Sequence, residues 1–274
     1  MIPGMNPLRP VLHWLTRLGL TARRWALAWG RILHLGAVVL VLMCSPSSYS
    51  RGTRWRLAQH MYADTAPILL GFTLLAALLS LVITRIVVVT ADSYGLTRYA
   101  MEMVIRVLVL ELIPLIAALF VAMRATIPNG TQLALMRQSG HLAALRARGA
   151  DPIRMELLPR VVAGMYASIT LAALSCVVAL ALAYLGVYGF SLAGLPGYTR
   201  MFGHVFTPQV TLVFVLRTLF FSMAIALIPM AAGLHETDSP QRAQQADAGI
   251  GGLARMFAVL LLIEVCSLMS NYYY

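Results

Sequence analysis

Residues 66–90 read APILLGFTLLAALLSLVITRIVVVT, twenty-five residues with one charge, Arg85. A bilayer core is about 30 Å thick, and a helix of about 20 apolar residues crosses it. Four further runs of this kind follow, at about 103–125, 161–184, 209–233 and 253–271. Between them lie polar stretches at 91–102, 126–160, 185–208 and 234–252. The pattern predicts an all-α integral membrane protein with five transmembrane helices. It divides the chain into an N-terminal cytoplasmic or interfacial segment, 1–64, and a membrane domain, 65–274.

Composition agrees. Of 274 residues, 60% are hydrophobic and 11% charged, where a soluble domain carries about 25% charged residues. Mean hydropathy is +0.79. This nearly rules out a soluble globular enzyme and rules out a disordered chain. The formal net charge is +11, and all 21 basic residues are arginines. They are scattered between apolar blocks rather than gathered on a polar domain, so the expected partner is an anionic membrane face and not a nucleic acid.

The first 31 residues interleave Arg9, Arg17, Arg23, Arg24 and Arg31 with Trp14, Trp25 and Trp29. Basic residues beside tryptophan suit a helix lying among headgroups. The apolar run 32–44 has only 13 residues, short for a span, and reads as an interfacial elbow or re-entrant piece. No small-residue cleavage signature follows it, and Ser45-Pro46-Ser47-Ser48 reads as a loop, so the N-terminus is expected to be retained.

Arginines set the orientation. The N-terminal 65 residues and the 126–160 stretch hold most of them, while 91–102 and 185–208 hold one each, Arg98 and Arg200. The positive-inside rule then places the N-terminus and 126–160 in the cytoplasm. Five spans leave the C-terminus outside, with Tyr272-Tyr273-Tyr274 as an interfacial anchor.

Ionisable residues inside a membrane are costly and are functional candidates by default. Here they are Arg85, Glu111, Arg217 and Glu264. At 1.5 Å rise per residue, the last three fall about 12 Å below the outer surface. A polar layer at one depth is expected, with Arg217 paired to Glu111 or to Glu264. Arg85 lies shallower and can snorkel to the interface. The layer can equally be a structural clamp.

Within 126–160, QLALMRQSGHLAALRAR (132–148) carries a partial helical stripe of Leu133, Met136, Leu142 and Leu145, interrupted at Gly140. Gly149 reads as a stop and Asp151-Pro152 as the start of a new element. A short basic helix between spans can dock on a partner or on anionic headgroups.

No metal or cofactor is expected. Cys44, Cys176 and Cys266 lie far apart, as do the six histidines. There is no P-loop, so ATP would be bound by another chain, and neither HExxH nor GxSxG occurs. Gly186, Gly189, Gly194, Gly197 and Gly203 read as a flexible outer loop. No internal repeat is visible, which counts against a secondary transporter.

Residues 110–160, LELIPLIAALFVAMRATIPNGTQLALMRQSGHLAALRARGADPIRMELLPR, resemble without a gap the signature region of the MlaE-type (YrbE-like) permeases. That pattern runs approximately RELGP…AGR…AAELG…MK.TEQIDALRVMGVDP…PR. Glu111, Pro114, Arg124, Met136, Ala144-Leu145-Arg146, Gly149, Asp151-Pro152 and Pro159-Arg160 match it. Arg217 stands where the family commonly has lysine, and Gly233-Leu234 matches a family Gly-Leu. Leu110, Ile113 and Gln132 depart from it, and 139–145 lacks the family's glutamate and aspartate.

The resemblance implies the membrane subunit of a bacterial inner-membrane ABC transporter for phospholipid or another lipid. It implies a homo- or heterodimer, a cytoplasmic ATPase and an MCE-domain protein on the outer side. It makes 126–160 the ATPase-coupling loop between the second and third of five spans. Met136, Arg137, His141, Leu142, Leu145, Arg146, Asp151, Pro152 and Arg160 would then face or support the ATPase. Two other readings stay open. One is a non-transporting scaffold that anchors an MCE partner. The other is a secondary transporter that uses Glu111 and Glu264.

Overall fold

The computed structural model describes residues 8–45, 51–235 and 242–272, and every regular element among them is helical. The helices are α1 (Leu8–Cys44), α2 (Arg51–Ser93), α3 (Thr97–Met103), α4 (Ile113–Val121), α5 (Ile127–Gln138), α6 (His141–Ala147), α7 (Leu158–Tyr188), α8 (Leu195–Val205), α9 (Pro208–His235) and α10 (Arg242–Tyr272). Widened π segments join α3 to α4 (Val104–Leu112) and α4 to α5 (Ala122–Thr126), so residues 97–138 form one rod. A third, Ile153–Leu157, leads into α7.

Proline explains the wide turns. Its ring clashes with the carbonyl four residues back and it has no N–H to donate. A π turn bonds five residues back and opens the helix. Ile113 N–H reaches the Leu108 carbonyl, Ile127 the Ala122 carbonyl and Leu158 the Ile153 carbonyl. The next residue is in each case a proline: Pro114, Pro128 and Pro159. The Val109 carbonyl, five residues before Pro114, accepts instead from the Cys176 thiol at 3.4 Å.

Six stretches among the described residues are long and apolar enough to cross a membrane: Ala26–Cys44, Arg54–Ser93, Tyr99–Gln138, Ile153–Tyr188, Pro208–Leu234 and Gly252–Ser270. The chain is a multi-pass membrane protein. The five expected runs fall in the last five stretches. The first is longer than the 13-residue apolar run 32–44 read from the sequence. The helix passes through Arg31 unbroken, and its apolar window of 19 residues begins at Ala26. Ile32, Leu35, Val39 and Leu42 are buried in the main core. Gly36 lets α1 approach α9, since a Cβ there would lie 3.3 Å from Leu227.

Other expected boundaries shift. The division at 64/65 falls inside α2. Only residues 94–96 separate α2 from α3. The expected flexible stretch 185–208 instead holds a 3₁₀ turn, Leu192–Gly194, and α8. Pro196 suits the first turn of α8, and Tyr198, Met201 and Val205, spaced three and four apart, pack on the bundle. The polar stretch 234–252 shrinks as α9 reaches His235 and α10 starts at Arg242. The expected loop at 46–48, the Tyr273 and Tyr274 anchor, and the side chains of Arg9, Trp14, Arg17, Arg23, Arg24 and Trp25 lie outside the described residues.

α2 and α7 lie side by side and run the same way. Arg56 meets Glu156 at one end, and Thr84 meets Gly186 at the other, 3.2 Å from where a Cβ would be. The buried stripe on α2 is Ile68, Phe72, Ala76, Ser80 and Thr84, one residue every four. α7 answers with small residues, Ser168, Ala172, Ala179 and Ala183. Small side chains let helix backbones approach in a membrane, where dispersion contacts replace the hydrophobic effect as the attraction.

Candidate intramembrane ion site

Arg217 projects from α9, Glu111 from the first π segment, and Glu264 and Ser267 from α10, one turn apart. Arg217 is 3% exposed. Its Nη1 donates to Glu111 Oε2 and to Ser267 Oγ at 3.3 Å, and stands 3.5 Å from Glu264 Oε2. Its Cζ lies 5.9 Å from the centroid of the Phe221 ring, one helical turn on. Buried carboxylates and guanidinium groups need partners, and here two acids share one cation. Arg217 Nε makes no hydrogen bond among the described residues, so one buried donor is spare. Thr218 and Ser222 bond carbonyls of their own helix. Arg85 is exposed on α2, has no ion pair among the described residues, and is not brought to the cluster.

An apolar groove of about 380 Å³ lies between α1, α9 and α10. Phe220, Met223 and Leu227 line it from α9, Val259 and Ile263 from α10, and Ile32 from α1. Two of its lining residues stand near the cluster along their helices: Phe220 follows Arg217 by three residues, and Ile263 precedes Glu264.

The Arg-rich end is built around α5, α6 and the third π segment. Gly140 (φ +76°) and Gly149 (φ +75°) stand in the left-handed region at either end of α6, which glycine enters without a Cβ penalty. Asp151 Oδ1 accepts from Ile153 N–H at 3.0 Å, and Pro152 is buried behind it. Leu142 is buried and Leu145 packs against the main core, while His141 and Arg146 are exposed. Arg137 Nη1 donates to the Leu234 carbonyl at 3.0 Å. Arg160 is buried; its Nη1 lies 2.8 Å from Glu156 Oε2, and its Nη2 is 3.7 Å from Met136 Sδ.

Several contacts here carry no local sequence signal. Arg56 on α2 also reaches Glu156, at 3.4 Å. Asn129 Nδ2 donates to Asp64 Oδ2 at 2.9 Å across 65 residues. Both tie α2 to the 126–160 region. α5 and α9 touch through glycines: a Cβ on Gly130 would lie 2.7 Å from the Pro229 carbonyl oxygen, and one on Gly233 would collide with the Gly130 carbonyl oxygen. Ser267 also went unforeseen, because a serine in an apolar span is unremarkable. The glutamate-to-serine spacing of three was its only available sign.

Apolar helices that bury an ion cluster, with an apolar groove between three of them, define a class, the integral membrane proteins. Residues 57–269 match the family model described as Permease MlaE, and the chain belongs to the MlaE permease family. That makes it a transport membrane subunit. No curated protein matches the chain.

Proposed function

We propose that the chain is the permease subunit of an ABC-type lipid transport complex, with phospholipid as cargo. The observation that carries this reading is Arg217. It is a buried guanidinium with one donor spare, on a helix that also lines an apolar groove. A phospholipid needs a cation for its phosphate and an apolar channel for a tail. Glu111 and Glu264 hold the cation in place when no phosphate is there.

In this reading the Arg-rich end faces the cytoplasm of a bacterial cell, in its inner membrane. A separate ATPase docks on α5, α6 and the 151–160 region, an MCE protein sits at the opposite end, and two permease subunits pair. The ties from Asp64 and Arg56 to Asn129 and Glu156 support a path for movement of the docking region into α2. Transport then requires that lipid and ATPase states favour different arrangements of these helices.

The test is reconstitution of the chain with its ATPase in vesicles holding fluorescent phospholipid. ATP-dependent lipid movement is expected, and Arg217→Met should abolish it while the complex still assembles. Absence of ATP-dependent movement in the unaltered complex would sink this reading.

A further inference from the structure

From residue 161 to residue 199 the chain has no charged residue. α7 ends at Tyr188, so the last eleven of these lie past the end of a span, where a water-exposed loop would carry charge at about one residue in four. The tip is also bare: Phe190 is 95% exposed and Leu192 77%. It is nevertheless firmly built. The Tyr184 hydroxyl donates to the Ser191 carbonyl. Ala193 N–H donates to Ser191 Oγ at 3.3 Å, and the Tyr198 hydroxyl donates to the Leu180 carbonyl at 2.9 Å. Burial pushes the Tyr198 phenol up to about 12, so the hydroxyl keeps its proton. The Tyr184 ring packs on Tyr188 and Tyr198, with centroids 5.3 and 5.2 Å away. Gly194 lies against the Tyr188 ring, where a Cβ would collide.

Charge returns only on α8. Its buried face goes to the bundle, and Thr199, Arg200 and His204 are exposed. We propose that residues 189–200 are a membrane-surface anchor. Phe190, Leu192 and Leu195 enter the headgroup and upper acyl region at the end of the bundle opposite the Arg-rich one, and Arg200 meets the lipid phosphates. Lipid is the occupant that fits. Backbone in a bilayer must be satisfied internally, which the tyrosine and serine bonds at this tip help to achieve. Aromatic and apolar residues followed by a cation match the order of acyl chain, interface and phosphate. The tip also continues directly from α7, a candidate span. The neighbouring turn, next to α8 through α3, presents exposed Tyr94, Leu96 and Tyr99 and extends the same rim.

The experiment uses the full chain in lipid nanodiscs, with Cys44, Cys176 and Cys266 replaced by serine. Phe190→Cys, Leu192→Cys and Thr199→Cys are each labelled with an environment-sensitive fluorophore. All three positions are exposed, so substitution does not disturb packing, and an unchanged melting temperature of the cysteine-free chain shows that the background variant folds. Quenching by lipids carrying a nitroxide near the headgroup is expected at 190 and 192, with loss of iodide quenching there. Position 199 should keep its iodide quenching. Iodide quenching at 190 and 192 equal to that at 199 would place the tip in water and overturn the proposal. Shielding of 190 and 192 from both quenchers would overturn it in favour of a protein covering the tip.

Discussion

Arg217 and Glu111 meet through a single guanidinium nitrogen, Nη1, and that same nitrogen serves Ser267 and faces Glu264. The contact is a point charge rather than a bidentate fork. Lysine can supply a point charge, whereas it cannot replace a fork. Arg217→Lys should therefore keep the fold and a large part of any transport. Arg217→Met leaves two acids without their cation and should cost about 3–5 kcal/mol. Thermal unfolding in detergent, run beside the vesicle assay, separates the two variants. Equal loss in both would mean that the spare Nε donor, not the charge, carries the role.

At the Arg-rich end one carboxylate serves two arginines of very different exposure. Arg56 is about half exposed, and Arg160 is buried. Arg56→Ala should change stability by about 0–1 kcal/mol, as exposed pairs do. Glu156→Ala strands the buried Arg160 with a backbone carbonyl and a sulfur, and should cost about 3 kcal/mol. Denaturant titration of the two variants checks the order. An Arg56 effect as large as that of Glu156 would contradict it.

The glycine crossing of α5 and α9 makes a graded prediction. Gly233→Ala drives a Cβ into the Gly130 carbonyl, and backbone cannot rotate away. A loss of about 1–3 kcal/mol is expected, typical of overpacking. At Gly164 the obstacle is the Thr126 methyl, 2.7 Å from the added Cβ, and that side chain can turn. Gly164→Ala should be the milder change. Melting temperatures of the two proteins decide, and the reverse order would show that the crossing yields.

Pro114→Ala restores an N–H and removes the ring that forces the wide turn. Residues 104–112 should tighten to α geometry, which rotates Glu111 relative to Arg217. Slower amide exchange at 109–114 is expected, together with loss of transport. Unchanged exchange would show that another contact, such as the Cys176 thiol on Val109, holds the turn open.

Much of this was legible in the sequence, and the gaps have physical causes. Spans announce themselves by runs of apolar residues, and Gly140, Gly149 and Asp151-Pro152 mark the ends of α6 and the start of the next element because backbone conformation there is local. α1 is longer than the apolar run 32–44 because Arg31 interrupts the run and not the helix. α8 hid because Gly197 and Gly203 dilute its inward Tyr198, Met201 and Val205 stripe. The π segments escape any search made at 3.6 residues per turn, although the prolines two residues beyond them were visible. The sequence placed Arg217, Glu111 and Glu264 at one depth but could not say which acid it meets. The answer, both plus Ser267, depends on how three helices rotate. Asp64 and Asn129 have no signal at all, since nothing near either residue reports the other.

The close pairing of α2 with α7 has a mechanical reading. Helices zipped by small residues along a shared length bend and slide together, so the pair behaves as a single plank, and the 97–138 rod is braced against it. α9 and α10 form the opposite wall, and α9 also packs on α5 and α7. Glu111 belongs to the braced side, and Arg217, Glu264 and Ser267 to the other. The buried charges are therefore rivets across the joint between two walls, and any relative motion of those walls must first strain or exchange them.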